Sequence, residues 1–189
     1  MTLHVFNPEH DIALAYDNKY FTAPHAGRQL RHDLDYLPIL WAEEGDYVLV
    51  ENVSSAQQHA LRLQRYGKQV QFVDRTDVER LSEQIDNVMP WGWDSSVKFQ
   101  LGQLGVKASV LPEDKILAGI RQLSNRQFSS AVLRDVLKEL SNPILLGKAS
   151  YINSIVDLES VLQKIGKAVI KAPWSSSGRG VRYVDTVLD

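Results

Sequence analysis

The sequence contains no cysteine, which excludes disulfides, thiolate metal sites and a cysteine nucleophile outright. It also lacks an excess of basic charge: 21 Lys and Arg stand against 23 Asp and Glu, a formal net charge of −2. A protein held to nucleic acid mainly through phosphate contacts carries a basic surplus, so nucleic acid is not an expected partner. Long apolar runs are missing too. The longest, such as residues 47–50 and 143–146, are far too short to cross a bilayer, and the Met-Thr-Leu-His-Val-Phe-Asn-Pro start has neither the basic opening nor the apolar stretch of a signal peptide. The expectation is a soluble cytoplasmic protein with no membrane partner. No internal repeat or low-complexity tract occurs. What is present is ordinary for a globular chain: 44% hydrophobic and 23% charged over 189 residues, enough to bury a real core.

Strand-like and helix-like segments alternate through the first part. Residues 2–6 form a β-prone run closed by the turn signal Asn7-Pro8. A loop-like region at 17–24 precedes a helical segment at 25–41, where Leu30, Leu34 and Leu37 are spaced for one buried stripe. Gly45-Asp46 breaks that pattern. A second strand follows at 47–50, then a helix capped by Ser54 or Ser55 and ended at Gly67, a third strand at 70–73, a helix at 76–84, a fourth strand at 85–90 and a short helix at 95–104. This order predicts an α/β fold, Rossmann-like, with a mostly parallel sheet over residues 1–111. Ligands of such sheets sit beyond the carboxyl ends of the strands. That edge would carry residues 7–11, Glu51-Asn52 and residues 91–94.

A new section, residues 112–189, opens at Leu111-Pro112. Ile116, Leu117 and Ile120 mark one helix, and Ser124-Asn125 could end it and cap the next, whose stripe is Phe128, Val132, Val136 and Leu140. Asn142-Pro143 breaks the pattern before a strand at 144–146. Ser154 and Asp157 have the spacing of a capping box for a helix reaching Ile165. Two strands, 168–171 and 181–184, then flank a Ser/Gly loop. The charge divides near the same place: residues 1–118 hold 11 basic and 17 acidic side chains, whereas 119–189 hold 10 and 6. The positive segment is the one with the loop, which favours a polyanion such as a nucleoside triphosphate.

Gly178 and Gly180 allow backbone N–H groups to approach an anion closely, because no Cβ obstructs them. Ser175, Ser176 and Ser177 add hydroxyl donors, and Lys171 and Arg179 bring two positive charges to one space. The loop is not a Walker A motif, which needs Gly-Lys-Ser/Thr entering a helix. Nor is it a dinucleotide fingerprint, since the first strand leads into Asn7-Pro8-Glu9-His10 with no glycine.

The run Val169-Ile170-Lys171-Ala172-Pro173 followed by Ser177-Gly178-Arg179-Gly180-Val181 resembles the phosphate-binding hairpin of the ATP-grasp superfamily. By that resemblance Lys171 contacts the nucleotide, and Ser176, Ser177, Gly178, Arg179 and Gly180 form the loop over the β- and γ-phosphates. Arg126 occupies the place of a family lysine that reaches the α-phosphate, keeping its charge but not its geometry. The resemblance makes residues 112–189 a truncated ATP-grasp α+β subdomain. Its implied activity is Mg-ATP-dependent joining of a small-molecule carboxylate to an amine or thiol through an acyl phosphate. Magnesium ligands would come from a second subdomain, which is absent from the sequence. The chain is thus expected to be an N-terminal fragment, inactive alone.

Outside the loop, Asn7, His10 and Asp11 follow the first strand and could bind polar groups of a substrate, with His10 also able to act as acid or base. Asn7 and Asp11 could equally make turn and cap hydrogen bonds. Trp93 and Asp94, in the Trp91-Gly92-Trp93-Asp94 run, could line a pocket or serve packing. Arg126 could be a phosphate ligand or a helix-surface charge. His25 and Arg28 begin a helix and read best as a solvated helix start. The five histidines show no paired metal-ligand spacing, and no Gly-x-Ser-x-Gly elbow occurs. Two rival readings stand beside the ligase: a non-catalytic nucleotide- or small-molecule-binding scaffold of the same architecture, and a Rossmann-like enzyme whose site lies within residues 1–111. Homo-oligomerisation is compatible with all three.

Overall fold

The computed structural model describes residues 1–63, 65–140, 147–175 and 180–185. The chain divides into two compact units, Met1–Ala118 and Gly119–Asp189.

The first unit is built on four parallel strands, β1 (Thr2–Val5), β2 (Tyr47–Leu49), β3 (Gln71–Val73) and β4 (Asn87–Pro90), in the spatial order β3-β2-β1-β4. Leu3 of β1 pairs with Tyr47 and with Val88, and Val5 with Leu49 and with Pro90. The central strands are buried on both faces, as parallel strands covered by helices must be. Leu3, Val5 and Tyr47 face one core cluster with Val78, Val97 and Leu101, whereas Val48 and Val50 face another with Ala42 and Ala56. Pro90 cannot donate to a ladder, and it sits on the edge strand where that costs least.

Among the described residues, the helices α1 (His10–Tyr16), α2 (His25–Leu34), α3 (Val53–Ala60), α4 (Arg75–Leu81) and α5 (Ser95–Gln103) lie within this unit. The four strands and helices α4 and α5 lie where the hydrophobic pattern places them, whereas α3 ends at Ala60, short of the expected stop at Gly67, and residues Leu61–Leu63 form a 3-10 turn. Helix α1 has no counterpart in that pattern, because only Ala13 and Leu14 of its seven residues are buried. The helix expected over 25–41 stops at Leu34, and residues Leu37–Leu40 form a separate 3-10 turn. Its expected buried stripe is not buried: Leu30 is 45% exposed. The cap of α3 is Asn52, whose side chain accepts the Ser55 N–H at 2.8 Å, rather than Ser54 or Ser55. Helix α4 opens with a reciprocal Asp74–Asp77 capping box.

Helix α6 (Asp114–Ser124) contains the division between the units. The second unit continues with α7 (Arg126–Leu140), α8 (Ile155–Ile165) and an antiparallel pair, β5 (Ala168–Lys171) with β6 (Val181–Val184). Asn125 takes the capping role expected at the α6–α7 junction, its side chain accepting the Gln127 N–H at 2.8 Å. Ser154 caps α8 through the Asp157 N–H at 3.1 Å. The stripe on α7 is not buried, with Phe128, Val132, Val136 and Leu140 all exposed. The strand expected at 144–146 and the break at Asn142-Pro143 lie outside the described residues. Among the described residues no helix is long and apolar enough to cross a membrane.

Candidate functional site

In the first unit, β2 and β3 lie to one side of β1 and β4 to the other, so the strand order reverses between β1 and β4, the position beyond whose carboxyl ends ligands of such sheets bind. Asn7, two residues past β1, spans that point. Its amide donates to the Gly92 carbonyl at 2.8 Å and to Asp94 Oδ2 at 3.3 Å, and its oxygen accepts the Gly92 N–H at 3.2 Å. Asp94 caps α5, with Oδ1 accepting the N–H groups of Ser96 and Val97, each at 2.9 Å. Asp94 Oδ2 also lies 3.3 Å from His10 Nδ1. A carboxylate partner favours a proton on Nδ1, which would donate to Asp94. The ring reaches this position only because residue 92 is glycine: a Cβ there would stand 2.3 Å from His10 Cδ2 and 2.5 Å from Nε2. The arrangement can orient a histidine for proton transfer, and it also closes two loops on each other.

Beside it lies a cavity of about 400 Å³. Five carboxylates line it, those of Glu9, Asp35, Glu51, Asp74 and Asp94, against the guanidiniums of Arg31 and Arg75. Glu9 is buried and paired with Arg31 through Oε1. Its Oε2 and the Arg31 Nε, both buried, have no hydrogen-bond partner among the described residues. Burial lowers the pKa of the Arg31 guanidinium from its ordinary value, more than the attraction of Glu51 and Asp94 restores it. Asp35 Oδ2 accepts the Glu51 N–H at 2.7 Å, yet burial still raises its carboxyl above the usual range. On the rim, the exposed His32 ring is 2.9 Å from Glu51 Oε2, a hydrogen bond that raises its pKa.

In the second unit, Lys171 is the last residue of β5 and pairs with Val181, the first of β6. Beyond it the Ala172 N–H donates to the Gly180 carbonyl at 2.7 Å. Gly180 has φ +70° and a Cβ there would be 2.8 Å from Ala172 Cβ, so both the backbone and the close approach require glycine. Arg126 grips the same stem. Its Nη1 donates to the Ala172 carbonyl at 2.6 Å and to Ser175 Oγ, its Nη2 to the Ser175 carbonyl at 2.7 Å, and its backbone N–H to the Pro173 carbonyl at 3.0 Å. Trp174 donates to the Arg121 carbonyl at 3.0 Å while the Arg121 guanidinium lies 4.1 Å from the centre of its ring. A broad concavity of about 1430 Å³ adjoins this stem; among the described residues its charged lining is Arg126, Lys148, Lys164, Lys167 and Lys171 against Asp185.

Of the residues singled out in the sequence, the fold brings Asn7, His10 and Asp94 together. Asp11 stands in the first turn of α1 and does not line the cavity. Trp93 packs against the core. Lys171, Gly180 and Arg126 meet at one stem, with Arg126 committed to the loop's own carbonyls. Ser176, Ser177, Gly178 and Arg179 lie outside the described residues. Sequence reasoning did not single out Glu9, Arg31, Asp35 or Arg75. Two signals were available: Glu9 stands inside the Asn7–Asp11 turn, and Arg31 and Asp35 are four apart, on one helical face. No family model matches the sequence, and neither a curated protein nor a solved structure matches it.

Proposed function

We propose that the chain carries the phosphate-loop subdomain of an ATP-dependent ligase of ATP-grasp type, preceded by an α/β unit. The observation that carries this reading is Lys171, held at the end of a paired strand, beside a stem fixed by Arg126 and Gly180, in a concavity that among the described residues is lined by five cations and one acid. The donor set fits a nucleotide triphosphate: ammonium groups for the phosphates, and Ile152, Val161 and Val169 as apolar surface for a base. When bound, ATP would supply a phosphoryl group to a carboxylate with release of ADP, and an amine or thiol would then displace phosphate from the activated acyl group.

In this reading Lys171 holds negative charge on the β- and γ-phosphates, electrostatic stabilisation and positioning being the main resources of phosphoryl transfer. Arg126 does not touch phosphate. It fixes residues 172–175, the stem next to Lys171. Among the described residues no group of three or more His, Asp and Glu side chains could hold a metal ion.

Calorimetric titration of Mg-ATP into the wild-type chain and into Lys171→Ala tests the reading. Loss of one charge-assisted phosphate contact weakens binding by about tenfold or more. Equal affinity in both proteins, or no heat in either while both are folded, contradicts it.

A further inference from the structure

The cavity of the first unit holds a polar mismatch among the described residues. Glu9 is 6% exposed, lines the cavity, and presents a buried carboxylate oxygen, Oε2, with no hydrogen-bond partner among the described residues. A buried anionic acceptor left unpaired costs several kcal/mol unless something donates to it. Beside it, Arg31 Nε is a buried donor that lacks an acceptor. The two residues are linked by the ion pair between Glu9 Oε1 and Arg31 Nη2, and both line the cavity. Around them the charge is unbalanced toward anions. Asp94 and Asp74 spend oxygens on helix caps, but Glu9, Asp35 and Glu51 leave the cavity negative even after Arg31 and Arg75 are counted.

We propose that this cavity binds a small molecule carrying a primary ammonium beside an oxygen acceptor, the chemistry of an amino acid or an amino alcohol, with the ammonium donating to Glu9 Oε2 and the oxygen accepting from Arg31 Nε. About 400 Å³ is the size of a metabolite site rather than of a single water. Burial that raises the Asp35 carboxyl and lowers the Arg31 guanidinium means that each gains from an opposite charge brought in by a ligand. The inference rests on the first unit alone and holds whether or not the second binds nucleotide.

The test is a thermal-unfolding screen of the full chain, without nucleotide, against the proteinogenic amino acids and ethanolamine. Each is paired with its deaminated counterpart, such as propionate for alanine and acetate for glycine. The expected result is that at least one amino compound, at about a hundredfold excess over its Kd, raises the unfolding midpoint by several degrees, while its deaminated partner does not. Glu9→Gln removes the anionic acceptor and Asp35→Asn a neighbouring negative charge. Each should weaken the effective ligand about tenfold or more, and Asp35→Asn carries the test if Glu9→Gln fails to fold. The proposal is overturned if no amino compound shifts the midpoint, if deaminated partners shift it equally, or if the shift survives both substitutions. A crystal structure grown with the best compound that shows only water on Glu9 Oε2 overturns it as well.

Discussion

Replacing Arg126 separates two roles that its charge alone leaves confounded. As a phosphate ligand it would work through charge, and Arg126→Lys would keep most of its effect. As a clamp it works through a fork that holds the Ala172 carbonyl, the Ser175 carbonyl and Ser175 Oγ at once, which a single ammonium cannot reproduce. Each such hydrogen bond contributes about 0.5–1.5 kcal/mol net. Arg126 is only half-buried, so the lower part of that range applies, about 2 kcal/mol for the three together. Spread over local opening of the stem, that is about a 30-fold faster exchange. The assay is amide hydrogen exchange at Ala172 and along β5 and β6, in Arg126→Lys and Arg126→Met. Both variants are expected to lose protection to a similar extent, without global unfolding of the first unit. Wild-type exchange in Arg126→Lys would show that charge alone suffices and refute the clamp.

Two further perturbations probe the first unit. Gly92→Ala puts a Cβ 2.3 Å from His10 Cδ2, so the ring must swing off Asp94, with a loss of about 1–3 kcal/mol. Denaturant titration reads the loss and the NMR signals of His10 read the displacement; unchanged signals would contradict the packing. Asp46 accepts from the Thr2 N–H at 3.0 Å, the His4 ring at 3.1 Å and the Glu43 N–H at 3.1 Å. Burial alone would raise its pKa, but these partners outweigh it and the net shift is downward. A carboxyl with a lowered folded pKa stabilises the fold above its unfolded value, about 3.9, and that contribution is lost as pH falls through the lower folded value. Asp46→Asn is therefore expected to be less stable at neutral pH by about 1–3 kcal/mol, the gap closing below about pH 4. Urea midpoints at pH 7 and pH 3 check this, and a gap that stays constant would refute it.

The strands were legible because apolar, β-branched runs such as Tyr47-Val48-Leu49 are bounded by Gly45-Asp46 and by polar residues, and a parallel order follows from the intervening helices. Once the sheet was read, its carboxyl edge followed, and with it Asn7, His10 and Asp94. Helix α1 was not legible, since a short helix that buries only Ala13 and Leu14 leaves no periodic stripe. Leu30 misled in the opposite way: it has helical spacing but stays 45% exposed. Spacing reports which residues share a face and not whether anything covers it, as the exposed stripe on α7 also shows. The cavity was the least legible feature. Glu9, Arg31, Asp35 and Arg75 come from separate segments, and the unmet Oε2 of Glu9 exists only in the folded arrangement. Arg126 was visible as a cation at a helix start, but its commitment to Ala172 and Ser175 depends on contacts 46 and 49 residues away in the chain.

The measurement that tests the central claim most directly is hydrogen–deuterium exchange of the full chain with and without Mg-ATP. The account predicts added protection along β5, β6 and the stem residues 172–175, with residues 1–118 unchanged. Protection confined to the edge that carries Asn7, His10 and Asp94, or no protection anywhere at saturating nucleotide, would contradict it.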